Sequence, residues 1–208
     1  MQREQVSKAV IRRMPKYYRY LDELHQDGIT KISSRALADR MGLTASQIRQ
    51  DFNCFGGFGQ QGYGYNIETL MNEIASIIGV NRKHRAVIIG VGNIGRALIH
   101  NFDFYKCGFT LSAAFDADVA IVGTNINGIT VHHIDELEEY HAKTPVEVAV
   151  LTLPKNPAPA MAERLARMGI RGIWNFTNVD LKMKHHDVMI EDVHFSDSLM
   201  TLCYQITD

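Results

Sequence analysis

Along residues 6–26 the apolar side chains return every three or four positions, and Tyr17, Tyr20, Leu21 and Leu24 fall on one side of a helix. Pro15 lies within that span, where it either opens the main helix at its first turn or kinks a longer one. After Gly28 the helical period resumes in SSRALADRMG, which Ser33 or Ser34 caps and Gly42 stops. TASQ at 44–47 has the spacing of a capping box, so a second short helix is expected from Ala45 to about Cys54. Another helix, over 67–79, is opened by Asn66 and closed by Gly79, and the basic run NRKHR at 81–85 follows it.

From residue 86 the pattern changes. Continuous apolar stretches begin with AVIIG and recur at TLSAAFD (110–116), GITVHH (128–133), EVAVLTL (147–153), GIWNF (172–176) and VMIEDV (188–193). Helical patterns such as PAMAERLARMG (159–169) lie between several of them. Apolar strands alternating with amphipathic helices predict an α/β domain with a doubly wound parallel sheet. FSDSLMTLCYQI (195–206) ends the chain as an amphipathic helix with Leu199, Leu202, Cys203 and Ile206 on one side. The expected divisions are 1–80, 81–194 and 195–208.

Helix, glycine turn, helix is the helix-turn-helix arrangement, in which the second helix reads DNA. The stretch IRQDFNCFGGFGQQGYGY (48–65) follows, with five glycines among Phe55, Phe58, Tyr63 and Tyr65. By composition it could be a loose linker or a base-stacking surface. Placed directly behind a reader helix, it supplies the tight turn and the aromatic anchors that a wing needs. The N-terminal part therefore reads as a winged helix. Gln47, Arg49 and Gln50 are the candidates for base or phosphate contact, Gln60 and Gln61 lie on the expected wing, and Lys31, Arg35 and Arg40 would orient the domain on the DNA backbone. Phe52, Phe55 and Phe58 read as domain core rather than stacking groups.

Gly90-x-Gly92-x-x-Gly95 follows a strand and opens a helix, the context a Rossmann-like dinucleotide turn requires. Gly90 permits the tight turn, Gly92 the approach of a pyrophosphate, and Gly95 close packing of helix on strand, with Asn93 and Ile94 at the helix start. Asp116, 21 residues beyond Gly95 at the end of the next strand, is suited to accept from ribose hydroxyls. Its neighbours Ala117 and Asp118 offer no cation for a 2′-phosphate, so NAD(H) is favoured over its phosphorylated form.

Charge sharpens the division of labour. Residues 1–85 hold 13 Lys and Arg against 8 Asp and Glu, whereas residues 86–208 hold 9 against 15. A basic N-terminal module facing a polyanion, joined to a module without that need, fits the pattern. Three widely spaced cysteines, Cys54, Cys107 and Cys203, suit a reducing compartment and are expected to be buried or half-buried. No apolar run is long enough to cross a membrane and the N-terminus carries no apolar signal core, so a cytoplasmic location is expected.

An oxidoreductase is the rival reading of the glycine motif. Only 123 residues remain from 86 onward, too few for a nucleotide fold and a substrate domain together. Tyr140 and Lys143 make a proton relay one residue short, so sensing is favoured over turnover. The pairs His132–His133 and His185–His186 are adjacent and point to opposite faces, DELEE (135–139) reads as a solvated helix face, and no metal site is expected.

The runs QIRQDFNCFGGFGQQGYGY, VIIGVGNIGRAL with its FDAD, and AVLTLP followed by GIRGIWNF resemble the Rex family of redox-sensing transcriptional repressors over essentially the whole chain. The resemblance implies a homodimer in which the C-terminal helix is exchanged between partners. It also implies binding to palindromic operator DNA and release when NADH is bound. It adds Thr152, Leu153, Pro154 and Asn175 to the NAD(H) site. It further points to a state-dependent polar network in which Arg19 matches the family, while Asn101 and His194 stand where a Tyr and an Asp are usual. Gln50 replaces a common Lys in the reader helix, and Thr177-Asn178 replaces Ala-Pro beside the expected nicotinamide pocket. A relative that binds the cofactor but has lost DNA binding, acting as a partner protein, is the remaining alternative.

Overall fold

The computed structural model describes residues 6–58, 64–183 and 187–207. Its contacts group the chain into two compact units that part between Asn81 and Arg82.

In the first unit Ser7 caps α1 (Lys8–Gln26), whose buried stripe is Val10, Met14, Tyr17, Leu21 and Leu24. Pro15 sits inside this helix, so the single long helix is the form adopted. Strand β1 (Lys31–Ile32) leads to α2 (Ser34–Met41), capped by Ser33 and ended by left-handed Gly42. Thr44 accepts from the amide of Gln47 and starts α3 (Ala45–Asn53). Strand β2 (Tyr65–Asn66) pairs antiparallel with β1, and α4 (Ile67–Ile78) is capped by Asn66 and stopped by left-handed Gly79. The two short strands form a small antiparallel ladder, in the register Lys31 to Asn66 and Ile32 to Tyr65. Gly64 makes that close approach of the strands possible, since it has φ of 73° and a Cβ there would lie 2.8 Å from the Ile32 carbonyl oxygen.

Phe52 is the hub of this unit, edge-on to Tyr17 at 5.0 Å and to Phe58 and Tyr65 at 5.3 Å each. Burying such a ring contributes about 2–3 kcal/mol. The aromatics of the reader helix and wing are therefore core, as the sequence indicates, with Phe55 packed against the same cluster.

The second unit is a seven-stranded sheet in the order β5-β6-β4-β3-β7-β8-β9. The strands are β3 (His84–Ile89), β4 (Phe109–Asp116), β5 (Asn125–Ile126), β6 (Ile129–His133), β7 (Val148–Leu151), β8 (Gly172–Asn175) and β9 (Met189–Asp192). Six are parallel; β5 alone runs antiparallel, as a short hairpin on β6. Counted from β3, the parallel strands follow the doubly wound order 3-2-1-4-5-6, with the topological switch between β3 and β7. Crossovers include α5 (Asn93–Asn101), α6 (Leu137–Lys143) and α7 (Ala158–Arg167). One face of the sheet buries Val87, Ile89, Phe115, Leu151 and Leu165, the other Ile88, Ala114, Val150 and Phe176.

The chain closes with α8 (Phe195–Ile206), none of whose residues is buried. Phe195, Leu199, Leu202 and Ile206 are 58%, 63%, 49% and 72% exposed. The cysteines depart from expectation. Cys54, Cys107 and Cys203 are all exposed, because the helix and turn positions that carry them face away from the two cores.

Candidate functional site

The glycine turn lies where β3 ends, beside the loop that leaves β7. Gly90 adopts φ of 97°, and a Cβ there would meet Leu153 Cδ2 and Thr152 O at 3.0 Å each. A Cβ on Gly95 would lie 2.2 Å from the Gly90 carbonyl oxygen, so only glycine lets α5 approach the strand this closely. A Cβ on Gly92 would meet nothing within 4 Å. Gly92 is the N-cap of α5 and contributes no side-chain cap, which leaves the first helical amides available to an anion. Asn93 and Ile94 are exposed beside them.

Asp116 ends β4 next to this turn. Its Oδ2 accepts from the Val91 amide at 2.6 Å and its Oδ1 from the Asp118 amide at 2.9 Å. A carboxylate offers about four acceptor positions, so two remain for ribose hydroxyls. On the far side of the switch, Thr152 Oγ1 donates to Gly90 O at 2.5 Å, while Leu153 packs against Gly90 and Pro154 is exposed. These residues fit a dinucleotide: a cradle that side chains would fill, free amides for a pyrophosphate and a carboxylate with spare lone pairs.

Asn175 is turned inward. It is 1% exposed, donates to Val179 O at 2.8 Å and to Asp192 Oδ1 at 2.6 Å, and accepts from Thr177 N and Oγ1. Its polar atoms thus tie the end of β8 to β9 and to the loop that follows β8. Arg96 was not singled out by motif reasoning, yet its Nε donates to Val91 O at 3.1 Å and its cation lies against the turn. Its position directly after Gly95, in the first turn of the helix, is the signal that could have found it.

In the first unit Arg49 and Gln50 are exposed on α3, with Gln47 half-buried. Arg49 Nη1 donates to Ser34 Oγ at 3.1 Å, which orders the side chain between the two helices of the motif. Lys31, Arg35 and Arg40 are exposed. Gln60 and Gln61 lie outside the described residues, as do His185 and His186.

Sequence reasoning also passed over Asp51. This reader-helix carboxylate is 2% exposed and accepts from Arg13 Nε, Arg13 Nη2 and Tyr17 Oη, each at 2.7 Å. Burial pushes its pKa up, but the hydrogen bonds from Arg13 and Tyr17 outweigh that and hold it below the ordinary value. Burial, followed by the bond to Asp51, raises the Tyr17 phenol.

Each of the three expected switch residues has a local partner. Arg19 lies 4.0 Å from Glu23 and over the Tyr20 ring; Asn101 donates to Ala97 O at 3.0 Å; His194 Nε2 lies 3.3 Å from Asp180 Oδ1. Asp180, Asp192 and His194 bring their ligand atoms within 4.8 Å of one another, although no metal site was expected. Both carboxylates are exposed, so water screens them. The would-be relay pair is not assembled: Tyr140 donates to Ser112 O and Lys143 pairs with Glu139. His132 and His133 engage different carboxylates, Glu136 and Asp135. Among the described residues no helix is long and apolar enough to cross a membrane.

Comparison with known proteins agrees with this geometry. The family model "Putative DNA-binding protein N-terminus" matches residues 5–53, and "CoA binding domain" matches residues 81–179. The redox-sensing transcriptional repressor Rex of Thermoanaerobacter sp. (strain X514) is 47% identical over 203 residues, covering 98% of this chain and 90% of its own. A crystal structure of RSP in complex with beta-NAD+ and operator DNA is 47% identical, covers 97% of this chain and 92% of that one, and superposes with a TM-score of 0.90. RSP in complex with beta-NADH is 43% identical over 98% of this chain and 95% of that one, with a TM-score of 0.89.

Proposed function

The chain belongs to the Rex family of redox-sensing transcriptional repressors, and we propose that it represses transcription as an NADH-responsive, operator-binding homodimer. The observation that carries this reading is the pairing, in one chain, of an ordered reader helix with a braced glycine turn that fits a dinucleotide. Such a repressor works in the cytoplasm, where the chromosome lies.

The dinucleotide supplies the redox signal, since its nicotinamide ring is cationic when oxidised and neutral when reduced. The chain's own residues do the rest. The amides that open α5, with Arg96 beside them, receive the pyrophosphate. Asp116 holds a ribose, and Thr152 keeps the glycine turn in shape. The exposed apolar side of α8 supports the exchanged-helix dimer, because a single chain leaves about half or more of Phe195, Leu199, Leu202 and Ile206 in water. Two reader helices related by the dimer axis then match an inverted repeat. NADH and operator DNA are linked reciprocally, so each weakens the other's binding by one common factor, commonly about 5–150-fold.

The test is fluorescence anisotropy with purified protein. The duplex is one enriched by the protein itself from a randomised inverted-repeat pool, titrated with NADH, with NAD+ and without either. NADH-reversible binding is the expected result. Binding indifferent to NADH would leave a repressor without this sensor, and failure to enrich any duplex would overturn the repressor reading. That last outcome favours a cofactor-binding partner protein, a reading the exposed Gln50 supports because it removes a cation where a phosphate would be met.

A further inference from the structure

Asp51 immediately follows Arg49 and Gln50 on α3, but it faces inward. A helix turns about 100° per residue, so whatever fixes the direction of Asp51 also fixes where its two exposed neighbours point. Three donors fix it. Arg13 presents its fork to both carboxylate oxygens at 2.7 Å, and Tyr17 adds a third bond at 2.7 Å. A bidentate guanidinium–carboxylate pair constrains orientation as well as distance. Both donors stand on α1, four residues apart on the same helix face. Phe52, the next residue along α3, packs edge-on against the ring of Tyr17 at 5.0 Å, closing the joint with an apolar contact.

A pair of this kind is a poor source of net stability, because desolvating both charges offsets most of their attraction. An apolar pair would hold α1 and α3 together equally well. What the fork provides is a defined rotation of α3 about its own axis. We propose that Asp51, gripped by Arg13 and Tyr17, is a positioning residue for DNA reading: it keys the reader helix to α1, so that the two move as one body and operator selectivity depends on the fork. This rests on the DNA-binding function proposed above.

The experiment uses the full-length protein and two labelled duplexes, the one enriched by the wild type and a scrambled version of the same composition. Arg13→Lys keeps the charge but loses the fork, Tyr17→Phe removes the third bond, and Asp51→Asn removes the carboxylate. Correct aim of a base-reading side chain is worth about tenfold or more in discrimination. Arg13→Lys and Asp51→Asn should therefore weaken the enriched duplex at least about tenfold relative to the scrambled one, with Tyr17→Phe intermediate. Binding to the scrambled duplex should stay within about twofold, since phosphate contacts carry no sequence information. NADH affinity, read by fluorescence titration, should be unchanged.

If Asp51→Asn fails to fold, Arg13→Lys and Tyr17→Phe decide the matter. Parallel weakening of both duplexes, or an unchanged ratio between them, would overturn the proposal while leaving DNA binding established. If the wild type enriches no duplex, the DNA-binding function and the keying of α3 fall together.

Discussion

The hydroxyl of Thr152 lies 2.5 Å from the carbonyl oxygen of Gly90, so the loop that leaves β7 is bonded to the turn that leaves β3. These are the two strand ends on either side of the topological switch, where an open α/β sheet parts to admit a ligand. The same Oγ1 would lie 3.1 Å from a Cβ on Gly95. Thr152 thus braces the turn from one side while the missing Gly95 side chain makes room on the other.

Thr152→Val keeps the shape of the side chain and removes the donor. Loss of one such bond costs about 0.5–1.5 kcal/mol, and its effect should fall on the turn it braces. NADH affinity is expected to weaken about 3–10-fold, with the far-ultraviolet circular dichroism unchanged. Unaltered affinity in a fluorescence titration would mean that the turn holds its shape unaided.

Gly95→Ala should be far more damaging. The added Cβ would sit 2.2 Å from Gly90 O, well inside van der Waals contact, so α5 or the turn must move. A displacement of this size at the pyrophosphate cradle should reduce NADH binding more than about 100-fold and lower the melting temperature. Near-normal binding by isothermal calorimetry would mean that the glycine turn is not the cofactor site.

Acid should weaken the N-terminal unit through Asp51. Its folded-state pKa lies below the ordinary value of 3.8, so its contribution is fully present above that value and is lost as pH falls through the folded pKa. The wild type should therefore lose melting temperature more steeply than Asp51→Asn below about pH 4, while the slopes converge near neutrality. Parallel profiles of the two proteins down to about pH 2 would show that Asp51 is no better stabilised in the fold than in the unfolded chain.

Replacing Leu199 and Leu202 with Glu should separate the proposed dimer. Both are well exposed in a single chain and lie on one side of α8, where the proposed dimer would desolvate them. Light scattering behind a sizing column should return a mass near 23.5 kDa for the double variant and twice that for the wild type. A dimeric double variant would exclude this face of α8 as the interface.

Much of the fold could be read along the chain because its signals act over one or two turns. Ser33, Thr44 and Asn66 each bond an amide three residues ahead, and Gly42 and Gly79 each end a helix in the left-handed region. The glycine spacing likewise encodes a turn whose steric demand is mostly local, and Asp116 falls where the next strand must end. Tertiary structure alone decided the rest. Asp51 meets Arg13 across 38 positions and Thr152 meets Gly90 across 62, and such pairings follow from which helix or strand becomes the neighbour, not from any local period. Asn175 entered the expected NAD(H) site only through the family resemblance, and the bond of its amide to Asp192 follows from the pairing of β8 with β9. Cys54 caps the end of a helix whose apolar face is visible in sequence, but which side of its last turn meets the core depends on where α1 and β2 pack. Hydrophobic period and capping are properties of consecutive residues, whereas burial, charge pairing and loop bracing depend on contacts that exist only once distant segments have been brought together.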